Sequence, residues 1–261
     1  MQFPVSPDLS IFYETRGEGP PLVLLNGMSQ TTQNWMSQVR HLSAHFKVLS
    51  WDARGQGRSG LGEQELTLDL HAADLLQLLD ALGLERVHLC GFSYGARLAL
   101  AFAARSPDRV ERLVLTSLGD GSGALRNVIV RSWQEVLERG GMTAMAWASI
   151  PHLLGEDFLS RYEGQMEAVI RATVSRNSEA GLKALLAGLS SFPPTSDDAV
   201  RCPMPALVIS ADRDPLVSLE SALALKDSFV NAEHRLVEGC GHTIPVELPE
   251  IWRRYVLDFL L

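Results

Sequence analysis

Val87-His88-Leu89-Cys90-Gly91-Phe92-Ser93-Tyr94-Gly95-Ala96 decides the reading of this chain. Its first four residues are a short apolar run of strand character. From Tyr94 to about Arg105, Leu98, Ala99, Leu100, Ala101 and Phe102 continue it as a helix. Between the two lies Gly91-Phe92-Ser93-Tyr94-Gly95, of the form Gly-x-Ser-x-Gly. Three fixed positions in five are weak alone, but a strand before and a helix after are what a nucleophile elbow requires. The sharp turn lifts a serine oxygen clear of a sheet, so the residues two before and two after it must lack bulk. The helix start aims N–H groups and a positive dipole end at a developing oxyanion. The plainer reading, a serine that only caps a helix, leaves this combination unexplained. Ser93 is the expected catalytic nucleophile.

Outward from the elbow, residues 22–118 alternate two kinds of segment. Pro21-Leu22-Val23-Leu24-Leu25, Phe46-Lys47-Val48-Leu49-Ser50-Trp51 and Val110 to Thr116 read as strands, and residues 2–15 as a hairpin at one sheet edge. Trp35 to Leu42 and Leu66 to Leu82 have helical spacing, the latter stopped by Gly83. Strands apolar on both faces and alternating with helices predict an α/β fold with a mostly parallel sheet. The alternation breaks at Gly119-Asp120-Gly121-Ser122-Gly123. Only helical periodicity follows, over Val128–Glu138, Thr143–Leu154, Phe158–Arg176 and Glu179–Leu189. Strand signals return at Pro205 to Ser210 and Ala232 to Val237, before a last helix from about Ile251. The expected organisation is a core of residues 1–122 and 200–261 with a helical cap, 123–199, inserted after the sixth strand.

A serine hydroxyl needs a base to take its proton. Of seven histidines, His242 stands out, because glycines flank it in Glu238-Gly239-Cys240-Gly241-His242 just after the last strand. The other six sit where packing or surface roles account for them. The histidine in turn needs a carboxylate to hold its tautomer. Asp212 and Asp214 both follow the Leu207-Val208-Ile209-Ser210 strand, and a strand's carboxyl end suits a sheet-top site. The loop Asn26-Gly27-Met28 after the first core strand can supply one oxyanion N–H and the residue after the nucleophile another, which assigns Met28 and Tyr94.

Composition narrows the function. The 261 residues carry a formal net charge of −8, against nucleic-acid binding, which draws on clustered Lys and Arg. The three cysteines, Cys90, Cys202 and Cys240, have no zinc-ligand spacing and suit a reducing compartment. There is no apolar run of membrane-spanning length and no signal-peptide pattern at Met1–Asp8, so a cytoplasmic location is expected. No metal and no cofactor is implied.

Asn26-Gly27, Asp52-Ala53-Arg54-Gly55-Gln56-Gly57-Arg58-Ser59, the elbow, and an aspartate and His242 following in that order together resemble the α/β-hydrolase superfamily. The likeness is to its small bacterial lid-bearing branch of esterases and lactonases, and covers nearly all the chain outside the insertion. The resemblance implies the α/β-hydrolase fold and aligns Asp214, in Asp214-Pro215-Leu216-Val217, with the family's acid, leaving Asp212 a loop role. It also makes Gly55-Gln56-Gly57-Arg58-Ser59-Gly60 a structural turn. The dinucleotide fingerprint G-x-G-x-x-G needs a helix at once, and Leu61-Gly62-Glu63-Gln64 is not one. Most relatives have His-Gly where this chain has Asn26-Gly27, a pairing similar to enzymes that move 3-hydroxyacyl chains between carriers.

The leading expectation is hydrolysis of a carboxylic ester or lactone through Ser93, His242 and Asp214. Acyl transfer to another acceptor and a low-turnover ligand sensor are the alternatives. An aspartate nucleophile, as in haloalkane dehalogenation, is excluded by Ser93. The substrate is expected to be a small molecule with a largely apolar acyl group, because the insertion is rich in apolar side chains. Trp133, Met145, Trp147 and Leu154 from above, with Asn26 and Trp35 from below, are the expected pocket residues.

Overall fold

The apolar runs become strands and the helical stripes pack over them in a computed structural model that describes residues 1–261. The chain runs β1 (Gln2–Ser6), β2 (Leu9–Arg16), β3 (Pro21–Leu25), α1 (Met36–Leu42), β4 (Lys47–Trp51), α2 (Leu68–Ala81), β5 (Val87–Phe92), α3 (Tyr94–Arg105) and β6 (Val110–Thr116). Helices α4 (Ala124–Leu153), α5 (Glu156–Tyr162), α6 (Met166–Arg176), α7 (Glu179–Ser191) and the single turn α8 (Ser196–Ala199) follow. The rest is β7 (Ala206–Ala211), α9 (Leu219–Asp227), β8 (Ala232–Val237), α10 (Ile244–Glu247) and α11 (Pro249–Leu260).

The eight strands form one sheet in the order β1-β2-β4-β3-β5-β6-β7-β8. The β1–β2 hairpin and its pairing to β4 are antiparallel; every other pairing is parallel. From β3 the chain steps outward to β4, then returns to place β5 on the other flank of β3. Strand order reverses there, and in such sheets the ligand crevice lies beyond the strands' carboxyl ends at that switch point. Ser93 follows β5 at this place.

The sheet divides the core in two. On one face, 45 buried residues join α2, α3 and the insertion to the sheet; on the other, 18 pack α1 and α11 against it. Each fully buried Leu, Val or Phe contributes about 1.5–3 kcal/mol, so these layers are the main driving force. Helix α3 is buried at every position from Tyr94 to Ala103. Its alanines bring it close enough to the sheet to serve as a fixed platform behind the elbow. The Gly55–Gly60 stretch is a turn, and α2 begins only at Leu68, capped by Thr67.

The helical insertion follows the sixth strand, as expected. Gly141 (φ 72°) breaks α4 between the two helices that the sequence pattern separates. The pattern over Phe158–Arg176, read as one helix, is two, because the chain tightens into a 3-10 turn at Glu163–Gln165 around Gly164. Glycine is about 1 kcal/mol less favourable than alanine in a helix. Helix α7 meets the core where Gly181 approaches Gly55 so closely that a Cβ on Gly181 would clash with the Gly55 carbonyl oxygen. No helix is long and apolar enough to cross a membrane.

At the end of the insertion, α8 is tied to the platform helix by a buried ion pair. Arg97 Nη1 donates to Asp198 Oδ2 at 2.6 Å, with both side chains withdrawn from water. Removing one partner leaves an uncompensated buried charge. Asp198→Ala is expected to lower unfolding stability by about 3–5 kcal/mol in urea titrations. Breaking the exposed Lys183–Glu138 pair with Lys183→Met is expected to leave the urea midpoint nearly unchanged, because water screens such a pair.

Candidate active site

Ser93 sits between β5 and α3 with φ 52° and ψ −114°, a conformation rare for a residue with a side chain. Such a backbone stores about 1–3 kcal/mol of strain and persists only where its surroundings over-determine it. Here the Ser93 N–H donates to the Thr116 carbonyl oxygen of β6 at 2.8 Å. Gly91 packs against the backbone of Gly95 and Ala96, and Gly95 against the carbonyl oxygens of Leu25 and Asn26. A Cβ at either glycine would clash with backbone that has no room to move.

His242 and Asp214 converge on this serine. His242 Nε2 lies 2.8 Å from Ser93 Oγ, and His242 Nδ1 lies 2.7 Å from Asp214 Oδ2. The other carboxylate oxygen of Asp214 accepts from Leu216 N at 2.8 Å and Val217 N at 3.1 Å. An ionised carboxylate only accepts, so Nδ1 carries the proton and Nε2 is left to take the hydroxyl proton. Asp212 is exposed and accepts from Cys240 N at 3.3 Å, a loop contact.

Two residues without a sequence signal hold the histidine loop. Ser117, at φ 53°, donates from its hydroxyl to the His242 carbonyl oxygen at 2.7 Å. Glu247 is a buried carboxylate that accepts from Gly241 N at 3.1 Å and Thr243 N at 3.2 Å, on either side of His242. The same carboxylate accepts from Gly155 N of the insertion at 2.9 Å, and Thr243 donates its N–H and hydroxyl to Leu153 O. The position of His242 is therefore mechanically joined to the end of α4.

The loop after β3 is fixed in a comparable way. Asn26 Nδ2 donates to Trp51 O at 2.8 Å and Asp52 Oδ1 at 3.1 Å, and Asp52 also accepts from Thr32 N and Arg58 N. Gln56 Nε2 donates to the carbonyls of Gly27 and Met28 at 2.8 and 3.1 Å. These contacts explain the sequence from Asp52 to Arg58 as a brace for the loop. The Met28 N–H donates to no protein group, and Tyr94, first residue of α3, has no acceptor within its helix. Both residues border the cavity.

A cavity of about 910 Å³ lies over Ser93, between the sheet's carboxyl edge and the insertion. Trp133 and Met145 line it as expected, and Trp133 is steadied by a hydrogen bond from its Nε1 to His152 Nδ1 at 3.2 Å. Four expected pocket residues do not. Trp35, 2% exposed, packs on Trp252 at 5.4 Å in the core on the sheet's other face. Trp147 is 42% exposed on the insertion's surface. Asn26 is turned away into the Asp52 network, and Leu153 takes the place expected of Leu154. Helical phase and sheet face decided these, and neither is legible from apolar character alone. Most of the lining surface is apolar, in keeping with the expected apolar pocket, although only 13 of the 37 residues are hydrophobic and three are arginines.

No group of three His, Cys, Asp or Glu side chains is placed to hold a metal ion. The thiols are inert neighbours. Burial pushes the Cys240 thiol up, and the Glu247 and Asp214 carboxylates add to it. Behind the elbow, His71 of α2 hydrogen-bonds Tyr94 Oη at 3.1 Å. Burial, with the Arg54 charge adding, pulls the His71 imidazole from 6.5 down to about 3.

A serine hydrogen-bonded to a histidine–carboxylate pair at the floor of a cavity is the arrangement of a hydrolase-type enzyme. The profile of the alpha/beta hydrolase fold matches residues 20–141. A 2-hydroxy-6-oxononadienedioate/2-hydroxy-6-oxononatrienedioate hydrolase of Paraburkholderia phymatum is 30% identical, over 97% of this chain and 91% of that protein. The solved structure of MGS-M2, an alpha/beta hydrolase enzyme from a Medee basin deep-sea metagenome library, has a TM-score of 0.92 at 26% identity, covering 99% of this chain and 96% of the other. The enol-lactonase from Burkholderia xenovorans LB400 has a TM-score of 0.88 at 28% identity, over 97% of each chain. The chain belongs to the α/β-hydrolase family.

Glu247→Gln keeps the shape but turns an amide N–H toward backbone donors. It is expected to lower kcat about tenfold or more with a smaller effect on KM, because displacement of a reacting group by about 1 Å can cost about 10²-fold. Steady-state kinetics on any turned-over ester checks this. His71 makes a second prediction. Its folded value lies below its unfolded one, so the unfolded chain binds the extra proton, and stability falls as pH drops through 6.5 toward 3. Urea midpoints measured across that window should decline less steeply for His71→Gln than for the wild type.

Proposed function

We propose that the protein is a serine hydrolase that cleaves a carboxylic ester or lactone through an acyl-enzyme on Ser93. The observation that carries this reading is the continuous relay from Asp214 to His242 to Ser93, at 2.7 and 2.8 Å, opening into the cavity. His242 Nε2 takes the hydroxyl proton as Ser93 Oγ bonds to the substrate carbonyl carbon. Asp214 holds the imidazole and stabilises the imidazolium. The N–H groups of Met28 and Tyr94 receive the oxyanion. Collapse expels the alkoxide, which takes the proton from His242. In a lactone that alkoxide stays tethered to the acyl group. Water deprotonated by His242 then releases the acid and restores Ser93. Helices of residues 123–199 act as a cap that encloses the substrate and, through Glu247 and Thr243, steadies His242. The relatives named as a hydrolase and an enol-lactonase support the same chemistry.

A fluorophosphonate probe should label Ser93 and leave Ser93→Ala unlabelled. A panel of p-nitrophenyl esters of graded length, with lactones and thioesters alongside, should show turnover that Ser93→Ala abolishes. Asp214→Asn should lower kcat by about 10⁴-fold, since the amide favours the wrong imidazole tautomer. Absence of labelling, or turnover that survives Ser93→Ala, would sink the proposal.

A further inference from the structure

Besides His242, the cavity over Ser93 is bordered by four charged side chains: Arg97, Asp120, Arg126 and Arg131. Three are already committed. Arg97 is paired with Asp198 and Arg131 with Glu135, while Asp120 accepts from the hydroxyls of Ser122 and Ser221. Arg126 is different. It is half-buried, no carboxylate of the chain pairs with it, and its one polar contact is the neutral Asn127 Oδ1 at 3.1 Å. Burial pulls its guanidinium down with no counter-charge to offset the effect.

The surroundings add a second, independent preference for an anion. Arg126 lies in the first turn of α4, where Gly123 at the N-cap supplies no side-chain acceptor and no acidic residue is present. The positive end of a helix and its free N–H groups favour a negative charge and disfavour a cation. A guanidinium placed there, facing a cavity, is at its most stable when an anion from outside the chain sits between it and the helix end. The charge balance limits which anion. Arg97 and Arg131 are neutralised by their own carboxylates, and the charge of Asp120 is held by hydroxyls rather than by a cation, so Arg126 is the one guanidinium at the cavity without a carboxylate; it suits a single negative charge, and a planar carboxylate matches its fork.

We propose that Arg126 is a specificity-determining residue that binds a free carboxylate carried by the substrate away from its reacting carbonyl. The preferred substrates are then esters or lactones that also bear an acid, a substrate class that rests on the hydrolase reading above.

The test separates binding from turnover. In the Ser93→Ala protein, calorimetry compares monomethyl and dimethyl esters of linear dicarboxylic acids of graded length, from succinic to suberic. At the best length the half-ester should bind at least about tenfold tighter than the diester. Arg126→Met should remove that preference and Arg126→Lys retain part of it. In the active enzyme, Arg126→Met should lower the ratio of kcat/KM for half-ester over diester about tenfold. Equal affinity for the two esters at every length, failure of every half-ester to bind, or a preference that survives Arg126→Met would overturn the proposal. If Ser93 resists the fluorophosphonate probe while the Arg126-dependent preference persists, the hydrolase reading fails and the carboxylate subsite stands.

Discussion

Everything at the site depends on how closely three backbones approach at the end of β5. Gly95 lies against the carbonyls of Leu25 and Asn26, and Gly91 against the first turn of α3. That contact leaves Ser93 no relaxed conformation, and its N–H is claimed by Thr116 of the next strand. The strain is supported by the burial of α3 on all sides, which keeps the helix from retreating. A serine oxygen held this way is displayed at the floor of the cavity before any substrate arrives.

The remaining groups are brought to that fixed point by polar contacts rather than by apolar packing. Asp52 is the hub on one side, holding Asn26, Thr32 and Arg58. Glu247 is the hub on the other, spanning Gly241, Thr243 and Gly155. Both are buried carboxylates whose oxygens accept backbone N–H groups, an arrangement that offsets the cost of removing their charge from water. The helical insertion is thus more than a roof. Through Gly155 and Leu153 it takes part in setting where the imidazole stands.

Charge at the cavity is mostly matched within the chain. The chain as a whole carries −8, yet the cavity lining holds three arginines and one aspartate. Two of the arginines serve the fold, tying α3 to α8 and bracing α4 along its own length. The third, Arg126, has no internal use that the structure reveals. A net acidic protein that keeps an unpaired guanidinium at its binding cavity presents a local anion site within a field that otherwise repels anions.

The sequence by itself determined the α/β class, the alternation of strands and helices as far as β6 and the strand–turn–helix setting of Ser93, and it singled out His242. Period-two and period-3.6 patterns, and glycines around a serine and a histidine, are local properties that one stretch of chain displays. It also narrowed the acid to two aspartates and, by family likeness, to Asp214. Tertiary structure alone decided which face each side chain meets. Trp35 and Trp147 have the apolar character of pocket residues, but sheet face sends one under the sheet and helical phase sends the other to solvent. Ser117 and Glu247 carry no motif, because their roles exist only once residues 125 and 6 positions away along the chain lie within a hydrogen bond. The isolation of Arg126 is likewise invisible in a sequence: whether a charge has a partner is a property of the folded neighbourhood, not of the residue.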